Sequence, residues 1–243
     1  TRHHANPNRI GHDPDIDADT IVFQPEQARG KGRLYSWFLR HQGTLFFPLL
    51  LLEGINLQVQ GMRYLLTAGR TIRGRGVALV LLSARLVAMP VLAFVSMSPL
   101  LAFASILLQL GVFGVYMGAS FAPNHKGMPQ VPAQAKLSFL HKQVLTSRNI
   151  SGKGMTAVYG GLNYQIEHHL FPNMARPFLR RAAVLVREFC HEAKIPYVSL
   201  PARESYRIVI QYLNAVAKPD RDLFRCPLVT TYGRLWRRTS CAG

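Results

Sequence analysis

Residues 76–119 read GVALVLLSARLVAMPVLAFV (76–95), SMS (96–98) and PLLAFASILLQLGVFGVYMGA (99–119), and this apolar block decides the fold. Arg85 is its only formal charge. A helix needs about 20 predominantly apolar residues to cross a bilayer, and each half of the block has that length. The sequence therefore predicts a transmembrane helical hairpin over residues 76–121. Arg85 would either snorkel to the interface or face another helix.

Basic residues crowd both flanks of this hairpin: Arg63, Arg70, Arg73 and Arg75 before it, Lys126 and Lys136 after it. The positive-inside rule then places both ends of the hairpin in the cytoplasm. The whole chain carries a net charge of +17 with 49% hydrophobic residues. Such a charge fits nucleic acid, an anionic membrane face or an acidic protein. A nucleic-acid module has no reason to carry so long an apolar block, so we expect no nucleic-acid partner.

The segment Thr44–Leu52 is strongly apolar but too short to cross a bilayer by itself. Glu53, Asn56, Gln58 and Gln60 follow it directly. We interpret it as an interfacial or re-entrant helix that lies along the membrane without crossing. Residues 1–41 are polar and turn-rich, and predict loops and a short helix outside the bilayer.

The chain is soluble in character after the hairpin. Residues 177–193 and 202–217 show helical periodicity with one apolar face and one basic face, which predicts two amphipathic helices. Residues 123–217 thus form a cytosolic cap, and the tail after Lys218 is expected to be loosely ordered. The cysteines have no metal-like spacing and indicate free thiols in a reducing compartment: Cys190, Cys226 and Cys241. The predicted fold is an all-α membrane protein, with a transmembrane hairpin, an interfacial helix and a cytosolic helical cap.

Histidines carry the candidate chemistry. The nine histidines include two vicinal pairs, His3-His4 and His168-His169, at opposite ends of the chain. On a helix, Gln165 and His168 would lie one turn apart on the same face, with His169 beside them. Two such pairs in turn-rich tracts beside a membrane block favour a shared metal site. Imidazole suits iron, zinc and copper, so the ligand type alone leaves the metal open.

Other polar residues give weaker signals. His12, His41, His141 and His191 have no partners at ligand spacing and are expected to be structural or solvated. The acidic residues Asp13, Asp15, Asp17 and Asp19 lack the glycine and closing glutamate of a calcium loop, so we expect solvated turn residues. Glu167 is either an outer hydrogen-bond partner of a ligand histidine or a surface carboxylate.

Three segments resemble membrane fatty acid desaturases. TRHHANPN (1–8), followed by DPDI (13–16), resembles their second histidine box, H-x-x-H-H, whose first histidine would lie just before Thr1. QIEHHLFP (165–172) resembles the third box in the Q-x-x-H-H form of front-end, linoleoyl-CoA-type and related bacterial enzymes. QVLTSRN (143–149) is similar to the stretch before that box. The resemblance covers essentially the whole chain.

The first box of the family, H-x-x-x-H or H-x-x-x-x-H, has no match in this sequence. In the family it lies upstream, with two further membrane helices. The resemblance therefore implies a partial desaturase domain over residues 1–243, N-terminally truncated and expected to be inactive on its own.

The resemblance also implies a cofactor, two non-haem iron ions. The family's iron ligands and catalytic histidines carry over onto His3, His4, His125, His168 and His169. Gln165 replaces a histidine of the alternative third box, and would bind iron weakly or orient its neighbours. Related acyl-CoA enzymes have an asparagine four residues before the histidine that corresponds to His125. Phe121 occupies that place here, and Asn124 is adjacent to His125 instead.

The implied reaction inserts a double bond into a long-chain acyl-CoA or acyl-lipid and reduces dioxygen to water. Electrons would come from an external ferredoxin or cytochrome with its reductase, because no G-x-G-x-x-G nucleotide fingerprint occurs. An acidic donor could dock on the basic face. The protein would be integral to a bacterial plasma membrane, with its active site on the cytoplasmic side. A shared metal centre requires an even number of crossings between His4 and His125, and the predicted hairpin gives two.

Three alternatives remain at this point. A fatty acyl hydroxylase, ketolase or acetylenase would use the same histidine boxes. A zinc-dependent membrane hydrolase is a different reaction class, although no His-Glu-x-x-His occurs. A basic membrane protein without enzymatic activity is the third.

Overall fold

A computed structural model describes residues 2–16, 21–28, 30, 32–67 and 73–216. Most of these residues are helical, and the predicted all-α fold is confirmed. The helices are α1 (Arg2–Ala5), α2 (Pro25–Ala28), α3 (Arg33–Thr67), α4 (Arg75–Ser96), α5 (Pro99–His125), α6 (Phe139–Leu145), α7 (Met155–Val158), α8 (Gln165–Leu170), α9 (Arg176–Glu192) and α10 (Ala202–Val216). Two short strands, β1 (Asn149–Ser151) and β2 (Ser199–Pro201), pair in parallel with Asn149 opposite Ser199.

The chain divides into two compact units. One combines Thr1–Phe46 with Ser120–Gly243 and contains all nine histidines; we call it the histidine unit. The other comprises Phe47–Ala119 and is called the apolar-helix unit. The boundaries predicted from the sequence, 76–121 for the hairpin and 123–217 for the cap, stay predictions.

The apolar-helix unit contains the two predicted spans. α4 and α5 are separated only by Met97 and Ser98, and both are long and apolar enough to cross a membrane. Their outward side chains are apolar, with Val77 65% and Leu100 80% exposed. Apolar side chains exposed along a helix of membrane-spanning length are typical of lipid contact. The Arg85 side chain is also exposed.

The prediction of a short interfacial helix at Thr44–Leu52 is wrong in its extent. These residues lie inside α3, a continuous helix of 35 residues that is itself long and apolar enough to cross a membrane. The polar residues that follow Leu52 do not end the helix, because glutamate and glutamine have good helix propensity. Among the described residues three helices thus meet the criteria for a span. Length and composition alone do not show that α3 crosses, so the expectation of two crossings between His4 and His125 stays a prediction.

Glycines set the approach of α3 and α5 within the apolar-helix unit. A Cβ atom at Gly114 would collide with the backbone oxygen of Leu50, and one at Gly54 with that of Leu110. Contact pairs in which the residue number rises in α3 and falls in α5 indicate that the two helices run antiparallel. Small residues that let helix backbones touch are a common basis of packing inside membranes.

We expect a Gly114→Ala exchange to destabilise the apolar-helix unit by about 1–3 kcal/mol, because the new methyl group has only backbone atoms to displace. Gly61→Ala is the matched control. Its Cβ atom would lie 3.9 Å from the nearest atom, Leu82 Cδ2, and alanine favours the helix by about 1 kcal/mol. Denaturant unfolding in detergent should therefore give effects of opposite sign, and equal effects would contradict the contact.

The histidine unit is built around short and amphipathic helices. α8 has only six residues and packs between α6 and α9 in an apolar cluster of Val144, Ile166, Val186, Cys190 and Ile195. The two amphipathic helices predicted from the sequence are confirmed as α9 and α10. Cys190 is a buried free thiol as predicted, whereas Cys226, Cys241 and the tail after Lys218 lie outside the described residues. This packing fixes the position of the helix that bears His168 and His169.

Candidate metal centre

Five imidazoles meet in the histidine unit. His3 and His4 come from α1, His125 from the last residue of α5, and His168 and His169 from α8. The His3 ring centroid lies 4.8 Å from that of His125 and 5.0 Å from that of His169. The His4 centroid lies 4.8 Å from that of His168 and 4.9 Å from that of His169. The structure thus brings together all five histidines that the sequence predicted, and their role as ligands stays a prediction.

Three of these side chains already have the spacing of a metal site. Ring nitrogens of His3, His125 and His169 all lie within 4.8 Å of one another. His125 and His169 are buried, and His3 is half-buried. His4 and His168 form a second, half-buried pair beside His169. The cluster therefore has room for metal ligation on both sides of His169.

Outer hydrogen bonds orient the rings. His3 Nδ1 lies 3.0 Å from Asp13 Oδ1, and His169 Nδ1 lies 3.1 Å from Gln143 Oε1. His125 Nδ1 lies 3.2 Å from the backbone oxygen of Thr146. Each of these oxygens accepts the hydrogen of Nδ1. The Nε2 atom of each ring therefore carries the lone pair that can bind a metal ion. Metal-ligating histidines usually make such second bonds.

Two buried ring nitrogens have no hydrogen-bond partner within the described parts of the chain, His169 Nε2 and His168 Nδ1. A buried polar atom without a partner costs free energy, so such atoms call for an explanation. A metal ion is the explanation that fits a cluster of neutral imidazoles. The residues present therefore fit the iron that the desaturase resemblance implies.

Gln165 and Asn124 border the cluster. With the hydrogen of His125 on Nδ1, Gln165 Nε2 donates to His125 Nε2 at 2.9 Å, the ring atom that a metal ion would bind. Asn124 Nδ2 donates to Gln165 Oε1 at 3.2 Å, and both side chains are buried. Gln165 is therefore within reach of any ion that His125 binds, and Asn124 orients it.

Burial favours the neutral form of the two imidazoles on α8. It lowers the pKa of His168 to about 4, with further contributions from the nearby His4, Arg176 and His3. It lowers the pKa of His169 to about 2, and repulsion from His3, His4 and His168 adds to the effect. A neutral imidazole is the form that binds metal. These two rings are thus free of competing protons at neutral pH.

These pKa shifts predict how the stability of the metal-free protein depends on pH. An unfolded histidine titrates near pH 6.5, whereas His168 and His169 in the fold bind protons only near pH 4 and pH 2. The unfolded state therefore takes up more protons as the pH falls below 6.5. We expect the free energy of unfolding to be constant above that pH and to decrease steadily below it.

The measurement is denaturant unfolding of metal-free full-length protein at pH 7.5 and pH 5.0. Burial raises the pKa of Glu167, which acts in the opposite direction. A His168→Gln/His169→Gln variant removes the contribution of these two imidazoles and should show a weaker pH dependence. An unchanged dependence in this variant would contradict the assignment.

The expectation that the acidic run is solvated is wrong for Asp13. Its side chain is buried, and it accepts hydrogen bonds from His3 Nδ1 and from the backbone N–H groups of Asn8 and Asp15. Burial alone would raise the pKa of Asp13, but the hydrogen bond and charge of His3 lower it. Asp15 is exposed, as expected, and Asp17 and Asp19 lie outside the described residues. Asp13 is a functional candidate that the sequence reasoning missed.

Neither interpretation of Glu167 is correct. The side chain is fully buried, so it is not a surface carboxylate. Its partners are Asn149 Nδ2 at 2.7 Å and the Tyr197 hydroxyl at 2.8 Å, and neither is a ligand histidine. No local pattern in the sequence marks Tyr197, because the contact joins residues 30 positions apart.

The segment QVLTSRN (143–149) supplies most of the hydrogen bonds that reach the histidine rings and α8 from outside the cluster. Gln143 and Thr146 bind the rings of His169 and His125, and Asn149 binds Glu167. Arg148 is fully buried and donates to the backbone oxygens of Pro123, Lys126 and Ser205. Two of these acceptors flank His125 in the chain. Arg148 therefore fixes the end of α5 on which His125 lies.

The remaining histidines do not join the cluster, as predicted. Ring nitrogens of His12 and His41 contact the backbone oxygens of Ile10 and Trp37. His141 contacts Ser138 Oγ, and His191 is exposed at the end of α9.

Comparisons with known proteins indicate the family of this chain. The family model for fatty acid desaturases matches residues 1–201. The Delta(8)-fatty-acid desaturase of Helianthus annuus is 28% identical over 245 residues, which cover 91% of this chain and 51% of that protein. The acyl-lipid (8-3)-desaturase of Thraustochytrium sp is 29% identical over 210 residues, or 83% of this chain and 46% of that protein. The Delta(6)-fatty-acid desaturase of Caenorhabditis elegans is 37% identical over 98 residues, or 39% and 22%.

No solved structure matches the chain. The chain spans about half the length, or less, of these curated relatives. The family match extends from the first histidine pair through the second and on to β2. Together with the long apolar helices, it indicates a membrane protein. This chain belongs to the fatty acid desaturase family.

Proposed function

We propose that this chain is part of a membrane desaturase that introduces a double bond into a long-chain fatty acyl group. The observation that supports the proposal is the convergence of five imidazoles from α1, α5 and α8. Hydrogen removal from an unactivated methylene exceeds the reach of ordinary side chains, so it needs a metal cofactor. A dense cluster of neutral imidazoles is suited to hold one.

Two iron ions are the cofactor that we propose. His3, His125 and His169 would hold one, and His4 and His168, next to His169, would contribute to the other. Gln165 borders the first set. When bound, the iron pair supplies the activation of dioxygen, which is reduced to water, and the oxidising power that an alkane C–H bond requires.

The chain's own residues position these ligands. Asp13, Gln143 and the Thr146 carbonyl set the ring orientations through Nδ1. Burial keeps the pKa of His169 low and the ring neutral, so no proton has to be displaced at neutral pH. The burial of His125 and His169 would limit the access of water to reactive species.

The substrate we propose is a long-chain acyl-CoA or acyl-lipid. One relative's name specifies acyl-lipid, and the others specify fatty acids. We further propose that the active site faces the cytoplasm of a bacterial cell. There a ferredoxin, or a cytochrome with its reductase, would supply electrons from outside the chain. The excess of Lys and Arg over Asp and Glu, 29 to 12, would attract an acidic donor.

The test is expression of the full-length protein in a host with a simple lipid profile, followed by mapping of double bonds by mass spectrometry. We expect a new unsaturated acyl chain. A hydroxylated product without unsaturation would favour the hydroxylase alternative. An unchanged lipid profile in cells that contain iron-loaded protein and a competent electron donor would refute the proposal.

A further inference from the structure

A largely buried polar network lies behind the helix that bears the second histidine pair, His168-His169. It consists of Asn149, Glu167 and Tyr197, which we call the α8 anchor. Glu167 Oε2 accepts from Asn149 Nδ2 at 2.7 Å, and Glu167 Oε1 accepts from the Tyr197 hydroxyl at 2.8 Å. Asn149 Nδ2 also lies 2.6 Å from the Tyr197 hydroxyl oxygen, which closes the triangle.

The anchor joins α8 to the small sheet. Asn149 belongs to β1, and its backbone N–H donates to Val198, the residue before β2. Asn149 Oδ1 accepts from the backbone N–H of Ile166 at 2.9 Å. The first N–H groups of a helix have no partner inside the helix. Tyr164, at the N-cap of α8, makes no side-chain cap, so Asn149 supplies this bond from a distant strand.

The geometry of a helix places Glu167 on the opposite face of α8 from Gln165 and His169, with His168 at about 100° between them. Each residue turns a helix by about 100°, so Glu167 lies about 200° from both Gln165 and His169. A helix of six residues is too short to be stable by itself. Its orientation must therefore come from outside contacts, and Glu167 is the charged contact on its far side.

Burying the Glu167 carboxylate between α8 and the small sheet costs free energy. Burying a charge requires strong hydrogen bonds in compensation, and such bonds are directional. An apolar side chain would fill the same volume without fixing the rotation of α8. Arg187 on α9 lies 5.4 Å from the Tyr197 ring centroid and adds a second constraint on the tyrosine.

We propose that the α8 anchor is a positioning device that sets the rotation of α8, and thereby aims the rings of His168 and His169 at the metal ions. This inference rests on the proposed function, because it takes these two histidines as ligands. The anchor makes no contact with substrate in this account, and it acts only through the helix.

The test uses a Tyr197→Phe variant of the full-length protein and cobalt(II) as the probe. Loss of the hydroxyl should weaken cobalt binding by up to about 10-fold, the lower end of the effect of groups that bond directly to a metal ligand, because the anchor acts only through the helix. The visible absorption spectrum of the bound cobalt should change as well. With iron, kcat should fall while KM for the acyl substrate stays the same.

Tyr212→Phe is the matched control. This tyrosine is also buried in the histidine unit, and its hydroxyl donates to the Phe23 carbonyl and accepts from Gln130. Its loss should lower stability without changing the cobalt affinity or spectrum. If Tyr197→Phe does not fold, Glu167→Gln, which keeps the shape of the side chain, is judged by the same measurements.

The outcomes separate the two proposals. Wild-type protein that binds neither cobalt nor iron would refute the proposed function and this inference with it. Wild-type protein that binds metal, with variants of wild-type affinity and spectrum, would refute the positioning role alone. A spectral change shared by Tyr197→Phe and Tyr212→Phe would also refute the positioning role. The change would then reflect a general loss of stability of the histidine unit.

Discussion

A His169→Ala exchange in the full-length protein is expected to abolish desaturation and to reduce metal binding. His169 lies between the two groups of imidazoles, with ring centroids 4.8 to 5.0 Å from those of His3, His4 and His125. Loss of an outer partner of a metal ligand already costs about 10- to 100-fold in affinity or activity. Loss of a ligand itself should cost at least about 100-fold.

Activity is measured as new unsaturated fatty acid per cell, and metal as iron per purified protein. His141→Ala is the control, because this exposed histidine contacts only Ser138 among the bonds described for it. We expect wild-type activity and iron content from that variant. Desaturation at the wild-type rate in His169→Ala would contradict the assignment.

An Arg148→Met exchange is expected to be the most destabilising change outside the histidine cluster. The guanidinium is fully buried and donates to three backbone oxygens, at Pro123, Lys126 and Ser205. Methionine fills a similar volume but donates nothing. Buried acceptors left without a donor cost about 1–3 kcal/mol each, partly offset by the relief of a buried charge, so we expect a loss of about 2–4 kcal/mol.

Denaturant unfolding of the full-length protein measures this effect. Arg180→Met removes an exposed arginine of α9 and should change the stability by no more than about 0.5 kcal/mol. Arg148→Lys should recover only part of the loss, because an ammonium group lacks the planar fork that reaches several acceptors. If Arg148→Met unfolded like the wild type, the contacts to α5 would have no energetic role.

The sequence predicted the features that depend on local patterns. Uninterrupted apolar runs located α4 and α5, and amphipathic periodicity located α9 and α10. The vicinal pairs at His3 and His168 identified the candidate metal centre, because two adjacent imidazoles are rare without a reason. The match of QIEHHLFP to a known box then indicated the family.

The extent of α3 could not be predicted in the same way. Its second half carries polar residues such as Glu53 and Gln60, which lower hydropathy without opposing helix formation. A hydropathy pattern alone therefore ended the segment near Leu52. Contacts of Gly54 with α5 hold this part of the helix, and such contacts leave no periodic signal in the sequence.

The outer contacts of the candidate site were missed for a related reason. Asp13, Gln143 and Glu167 acquire their roles from partners that lie 10, 26 and 18 or 30 residues away in the chain. Asp13 looked like one of four solvated carboxylates until the fold buried it against His3. Local spacing identifies ligands on one helix turn, but it says nothing of the groups that orient them.

Metal analysis of the purified full-length protein decides whether the five imidazoles hold iron. We expect about two iron ions per chain, with X-ray absorption showing mainly nitrogen neighbours, as expected of histidine ligation. We also expect His3→Ala and His168→Ala, at opposite ends of this chain, each to lower the iron content. Active protein that holds zinc alone, or iron content indifferent to both exchanges, would contradict the assignment of the histidines as iron ligands.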